Sequence, residues 1–174
     1  MILASILLVA AVGAGGAEAR VDVPPQSFDA GGWSLDSQFM DVMGSPYLLA
    51  RGLGERVLDA RAEVAFPENG EYRVWVRSRN WADGSPGRFR VLVDGRPLGR
   101  VFGAGSREWA WEDGGTVKIA GARATVALED LTGFDGRCAG IVFSRGGARP
   151  EGALKVGAAA VAETVKAEIG RAHV

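Results

Sequence analysis

Between Val57 and Phe66 the chain alternates, with Ala60, Ala62, Val64 and Phe66 on one side and Asp59, Arg61 and Glu63 on the other. A two-residue period belongs to a strand with one buried and one wet face. Pro67-Glu68-Asn69-Gly70 breaks the run with turn-forming residues. A second alternating run follows over 71–79, with Tyr72, Val74 and Val76 facing one way and Arg73, Trp75, Arg77 and Arg79 the other. The pair predicts an antiparallel hairpin whose outer face mixes indole and guanidinium groups. Phe89, Val91 and Val93 repeat the alternation over 88–93, and Asp94-Gly95, a preferred type I′ pair, leads into 96–102 as a second hairpin. Short apolar runs at 109–111, 116–120, 123–128 and 140–144 are separated by Asp113-Gly114-Gly115 and Gly133-Phe134-Asp135-Gly136. Strands at this spacing without intervening helices predict an all-β, antiparallel β-sandwich.

The two ends follow different patterns. Ile2 to Val12 is almost unbroken Ile, Leu, Val and Ala, and small residues then lead to Ala17-Glu18-Ala19, which fits a small-x-small cleavage site. Residues 1–19 are therefore expected to be a secretory signal peptide, although no Lys or Arg precedes the apolar run; a buried N-terminal element is the competing reading. That run is too short to span a bilayer comfortably. After Pro150 the period becomes helical, since Leu154, Ala158, Val161 and Val165 share one face, which predicts a linker helix within 148–167. The last seven residues, 168–174, read as the translation of a common sequencing adapter, with a natural helix end as the alternative. On the adapter reading the coding sequence continues and His173 is foreign. The sandwich is thus expected over 20–147, exported to the periplasm, the cell surface or the medium.

Charge and rare residues narrow the chemistry. Lys and Arg number 20 and Asp and Glu 21, so no basic field exists to neutralise phosphates, and nucleic acid is excluded as an expected partner. One Cys and one His remove internal disulfides, histidine triads and multi-histidine metal sites. No G-x-S-x-G elbow occurs. Gly52-Leu53-Gly54 and Gly103-Ala104-Gly105 lack the third glycine and the helix that a phosphate loop needs. No catalytic or cofactor-binding residue is assigned within this chain.

Five Trp, at 33, 75, 81, 109 and 111, are interleaved with Arg and carboxylates. Sugars present apolar C–H faces and a rim of hydroxyls, so an aromatic platform bordered by charged groups suits them. Trp33, Arg79, Trp81, Asp83, Trp109 and Trp111 are the candidate ligand-binding residues, with core packing the competing role for each indole. Trp81 stands out because Asn80 to Gly87 is turn-rich, as functional loops are. Asp36, Asp41, Asp130 and Asp135 are candidate Ca²⁺ ligands, against the alternative that Arg137 pairs with Asp130 or Asp135 and the rest cap turns. Cys138 reads as a small buried hydrophobe.

Four segments carry a resemblance: Trp33 to Leu48, Tyr72-Arg73-Val74-Trp75-Val76-Arg77, Trp109-Ala110-Trp111-Glu112-Asp113-Gly114-Gly115, and Asp130-Leu131-Thr132-Gly133-Phe134-Asp135-Gly136-Arg137-Cys138. In this order, over about 28–145, the chain resembles the N-terminal region of secreted bacterial FAD-dependent oxidoreductases. The resemblance implies a jelly-roll-like, carbohydrate-binding-module-like domain followed, after a short linker, by a dinucleotide-binding domain that holds FAD. The partner would then be a glycan or that flavin domain. The family continues its Gly-Arg-Cys motif with an acidic residue, whereas Ala139-Gly140 follow Cys138, so a role for that carboxylate does not carry over.

Overall fold

A computed structural model describes residues 18–155. The signal segment up to 17, residues 156–167 of the expected linker helix and the adapter-like 168–174 lie outside them; 148–155 run without helix. The chain forms β1 (Arg20–Val23), a 3₁₀ turn (Pro25–Ser27), β2 (Ser34–Asp36), a single helical turn α1 (Met40–Met43), β3 (Tyr47–Arg51), β4 (Ala60–Ala65), β5 (Gly70–Ser78), β6 (Phe89–Val93), β7 (Arg96–Pro97), β8 (Ala110–Ile119), β9 (Arg123–Asp130) and β10 (Phe134–Ser144). One sheet has the order β2-β3-β10-β5-β8, with β1 beside the second half of β10; the other has the order β4-β9-β6-β7. All pairings between these strands are antiparallel. The architecture is an antiparallel β-sandwich.

Side chains from the two inner faces form one core. Tyr72, Val74 and Val76 of β5, Ile141 and Phe143 of β10, Phe89 and Val91 of β6, and Val126 and Leu128 of β9 are all shut off from solvent. Aromatic edges lock the layers: Phe66 meets Tyr72 and Phe143 at ring separations of 5.2 and 5.1 Å, and Trp33 meets Phe89 edge-on at 5.6 Å. Each such ring removes well over a hundred Å² of apolar surface from water, and the edge-to-face contacts add about 0.5–1.5 kcal/mol apiece.

Three expectations are corrected. The runs at 57–66 and 71–79 are not a hairpin: β4 pairs with β9 and β5 with β10 and β8, so Pro67 to Asn69 carries the chain from one sheet to the other. Both runs point their apolar sets inward, and an arch places those sets face to face, as the Phe66–Tyr72 contact shows. Asp113-Gly114-Gly115 does not split two strands. It is a bulge inside β8, opposite the register shift between Arg73 and Trp75, with Gly115 at φ 83° and its N–H on the Asp113 carboxylate at 2.9 Å. The run over 96–102 pairs as a strand only at Arg96–Pro97. The Asp94-Gly95 turn is as the sequence predicts, with φ of 48° and 76°.

Candidate functional site

Strand register arranges the outer face of the first sheet in rows. Cys138 lies opposite Leu48 on β3 and Ser78 on β5, and Ser78 lies opposite Ala110 on β8. These side chains face inward or along the sheet. The positions one residue away, Leu49, Arg137, Arg79 and Trp109, share the opposite side of the pleat and form an outer row. The next row holds Tyr47, Ala139, Arg77 and Trp111, and a third holds Trp75 and Asp113. Four strands that are far apart in sequence thereby bring three arginines and three indoles onto one surface.

The cluster has its own small apolar base. Met43, Tyr47, Leu49 and Ala139 are buried together with Trp109 against them. The helical turn α1 drops Met43 onto the sheet, where its sulfur accepts from Arg79 Nη1 at 3.5 Å. Arg77 donates to Ser45 Oγ at 2.8 Å and stacks on Trp109 at 5.2 Å, which lies 5.4 Å from the Tyr47 ring. Arg137 donates to the Asp135 carbonyl at 2.7 Å and lies 4.5 Å from the centre of the Trp81 ring. The Tyr47 hydroxyl donates to Asp36 at 2.8 Å.

Electrostatics follow from this half-dry setting. Burial pushes the Arg77 guanidinium below its ordinary range; Arg137 is pushed the same way by burial and by the nearby Arg79 charge, against the opposing pull of Asp135. Burial first, and then Asp36, raise the Tyr47 phenol. Along the same strand Arg73 forms an ion pair with Asp113 that holds the Asp113 carboxyl below the usual carboxylate range.

The sequence-predicted ligand residues divide. Arg79 and Trp109 are neighbours in the outer row, Trp81 lies over Arg137 of the same row and is 54% exposed, and Asp83 pairs with Arg107 of the neighbouring loop at 3.4 Å. Trp33 is 3% exposed and belongs to the core, so it offers no platform. Trp111 is also covered: its indole N–H donates to the Gly152 carbonyl at 2.8 Å as the chain after β10 doubles back over the sheet. Sequence reasoning missed Arg77, Arg137, Tyr47 and Met43. The outward phase of β5 marks Arg77, but Arg137 joins the site only through the register of β10.

The carboxylates expected for Ca²⁺ do not converge. Asp130 accepts from the backbone N–H groups of Val57, Thr132 and Gly133 at 3.0 to 3.2 Å, tying two loops together. Asp36 is taken by Tyr47 and the Gln38 N–H, Asp135 lies 3.9 Å from Arg51, and Asp41 is exposed on α1. No three His, Cys, Asp or Glu side chains come together among the described residues. The donor set does not fit a resident cation. Arg137 pairs with neither Asp130 nor Asp135 through a carboxylate; it meets the Asp135 backbone instead.

No protein-family model and no curated protein matches the sequence. Solved structures match the fold. A family 35 carbohydrate binding module from Clostridium thermocellum superposes with a TM-score of 0.58 at 12% identity, over 71% of this chain and 96% of that one. A family 35 module from an environmental isolate gives 0.55 at 12%, covering 78% and 98%. The CBM36-1 domain of a multidomain xylanase from the hindgut metagenome of Trinervitermes trinervoides gives 0.54 at 17%, covering 79% and 99%. The chain has the jelly-roll β-sandwich of these modules. No helix among the described residues is long and apolar enough to cross a membrane.

Proposed function

We propose that this chain is a non-catalytic glycan-binding or substrate-presenting module, exported as part of a larger protein. The observation that carries the reading is Trp81: a large indole left half in water on a loop and backed by the Arg137 guanidinium, which Arg79 faces across the neighbouring strand. An exposed ring with a charged backing suits a sugar face and its hydroxyls better than it suits the core. The shared fold with carbohydrate binding modules supports the class of ligand. The parent we propose is an exported FAD-dependent oxidoreductase, supported by the four sequence motifs; FAD would belong to the domain that follows. Affinity electrophoresis of the chain through gels containing single plant and microbial polysaccharides tests the reading. Retardation by at least one glycan, lost in Trp81→Ala, is expected. Retardation that survives Trp81→Ala moves the site elsewhere, and none in any gel counts against glycan binding.

A second reading rests on the chain after β10. Pro150 is buried, Gly152 accepts from Trp111, and Leu154 Cδ1 lies 2.6 Å from where a Cβ at residue 140 would stand. This strap covers part of the same outer face. On this reading the module is structural and packs against its own flavin domain. An uncovered interface of that kind makes the chain self-associate at micromolar concentration in sedimentation velocity, whereas a binding module stays monomeric.

A further inference from the structure

The arginines of the outer row present a problem of charge. Arg79 and Arg137 stand one step beyond the paired residues Ser78 and Cys138, which places two like charges on directly opposite positions of neighbouring strands. Such pairs are destabilising unless something lies between them. Arg137 is 5% exposed, its Nε has no hydrogen-bond partner, and neither has Nε of Arg79. The ion pairs formed among the described residues include neither of them, nor Arg77. Two carboxylates are near: Asp36 is engaged by Tyr47 and Gln38, and Asp135, 3.9 Å from Arg51, offsets part of the Arg137 charge without an ion-pair contact. Positive charge is therefore in excess in a place where water is scarce.

A buried guanidinium without a counter-charge is costly, and elsewhere the chain pairs its arginines readily. A planar fork of N–H donors matches a carboxylate or sulfate in two parallel bonds. We infer that Arg79 and Arg137, with Trp81 lying across Arg137, form a receptor for an oxyanion carried by the glycan, a carboxylate or a sulfate ester. The inference rests on the glycan-binding reading and adds the substrate class: acidic polysaccharide. The Trp81 ring lies over Arg137 from a turn-rich loop and leaves its other face to the sugar ring.

Matched pairs of polymers separate anion recognition from sugar recognition. Polygalacturonate is compared with its carboxyl-reduced form, and dextran sulfate with dextran, by titration of the full chain at 0.15 M salt with tryptophan fluorescence as the readout. The acidic member of at least one pair is expected to bind about tenfold or more tightly than its neutral partner, the effect of one to two charge-assisted hydrogen bonds. Which pair shows the difference names the oxyanion. Arg79→Gln and Arg137→Gln each remove the preference. Arg79 is only half buried, so its variant keeps the test open where Arg137→Gln fails to fold. Arg123→Gln, at the opposite end of the sandwich on β9, deletes the same charge and leaves the preference intact. Equal binding of both members of each pair, or a preference that survives Arg79→Gln, overturns the oxyanion site while glycan binding stands. A preference lost equally in Arg123→Gln shows general charge attraction and also overturns it. Binding of none of the four polymers overturns the acidic-polysaccharide assignment, and the gel panel then decides separately on glycan binding.

Discussion

Tyr72, Val74 and Val76 on one side of β5 lie in the dry interior, while Trp75 and Arg77, one residue out of phase on the same strand, and Arg79 just past its end meet a half-wet surface of mixed chemistry. On the inner side of this strand the polar groups are met: the Tyr72 hydroxyl donates to the Glu68 carbonyl, and Ser78 donates to the Glu112 carboxylate, which Arg100 in turn neutralises. The outer side leaves Nε of Arg79 and the indole N–H groups of Trp75 and Trp109 without partners. One strand thus carries a face arranged for stability and a face whose unmet hydrogen bonds and unpaired charge await something else. The proposed site rests on this difference.

The comparison breaks most visibly in the core. Phe89 is fully buried between Trp33 and Phe102, and Phe89→Ala is expected to cost about 3–5 kcal/mol in urea unfolding, a transfer term plus a cavity term. Cys138 offers a second readout. Burial pushes its thiol up to about 12, so at pH 8 it is protonated and shielded, and iodoacetamide reaches it only through opening of the sandwich. A loss of about 4 kcal/mol raises the opened population, and hence the labelling rate, roughly a thousandfold. Labelling equally fast in both proteins would mean that the thiol is reached by a local route.

Next in size is Asp130, almost fully buried and bound by three backbone N–H groups of two loops. Asp130→Ala leaves those donors without an acceptor and is expected to cost about 3 kcal/mol, at the upper end of the range for stranding buried donors. Because these loops hold the end of the sheet where Arg137 enters, glycan affinity should fall with stability. Affinity that outlasts the stability loss would show that the site is held by β5 and β8 alone.

Trp81→Ala sits at the other extreme. It gives up a half-exposed ring and a cation–π contact worth about 0.5–1 kcal/mol, so the unfolding midpoint barely moves while glycan retention disappears. A midpoint shift as large as that of Phe89→Ala would place Trp81 with the core and remove the contrast between the faces.

What the sequence shows of this contrast is uneven, and the reason is physical. The alternation of β5 displays both faces, because a period of two is a local property that any half-buried strand must obey. Trp81 is legible for a similar reason, lying in a run of turn residues. Trp33 is not: nothing in its neighbours distinguishes a ring packed on Phe89 from one facing water. Arg137 is illegible for a different reason. Its place beside Arg79 depends on β10 pairing with β3 on one side and β5 on the other, and long-range register leaves no trace in the residues around it. The failed hairpin at 67–70 belongs with this. Two apolar sets in phase fit a hairpin and an arch equally well, and only the strands paired elsewhere decide between them.

Smaller effects sharpen the outer face itself. Asp113 is held below the usual carboxylate range by Arg73, so it favours the charged form in the folded state. A depressed folded-state value stabilises the fold above the unfolded pKa of about 3.9, and the stabilisation is lost as pH falls through the folded value. Asp113→Asn should therefore be less stable by a few tenths of a kcal/mol at pH 7, the scale of an exposed pair. The gap to the parent chain should close as pH drops from about 4 toward 2. A gap that persists at the lowest pH would trace the loss to the β8 bulge, not to charge.

The smallest change is the most telling because its sign differs. If Arg79 and Arg137 stand opposite each other to receive an anion, the empty protein carries their repulsion as a cost, and the face is tuned for a ligand at the expense of stability. Arg79→Gln keeps length and hydrogen-bonding capacity while deleting one charge. It is expected to stabilise the ligand-free chain by about 0.3 kcal/mol, the scale of a like-charge cross-strand pair. The gain should shrink in high salt as the parent's repulsion is screened. Urea midpoints at low and high ionic strength measure both numbers. A destabilised Arg79→Gln would mean that the contact with the Met43 sulfur matters more than the charge beside it, and the outer row would then be ordinary packing like the inner one.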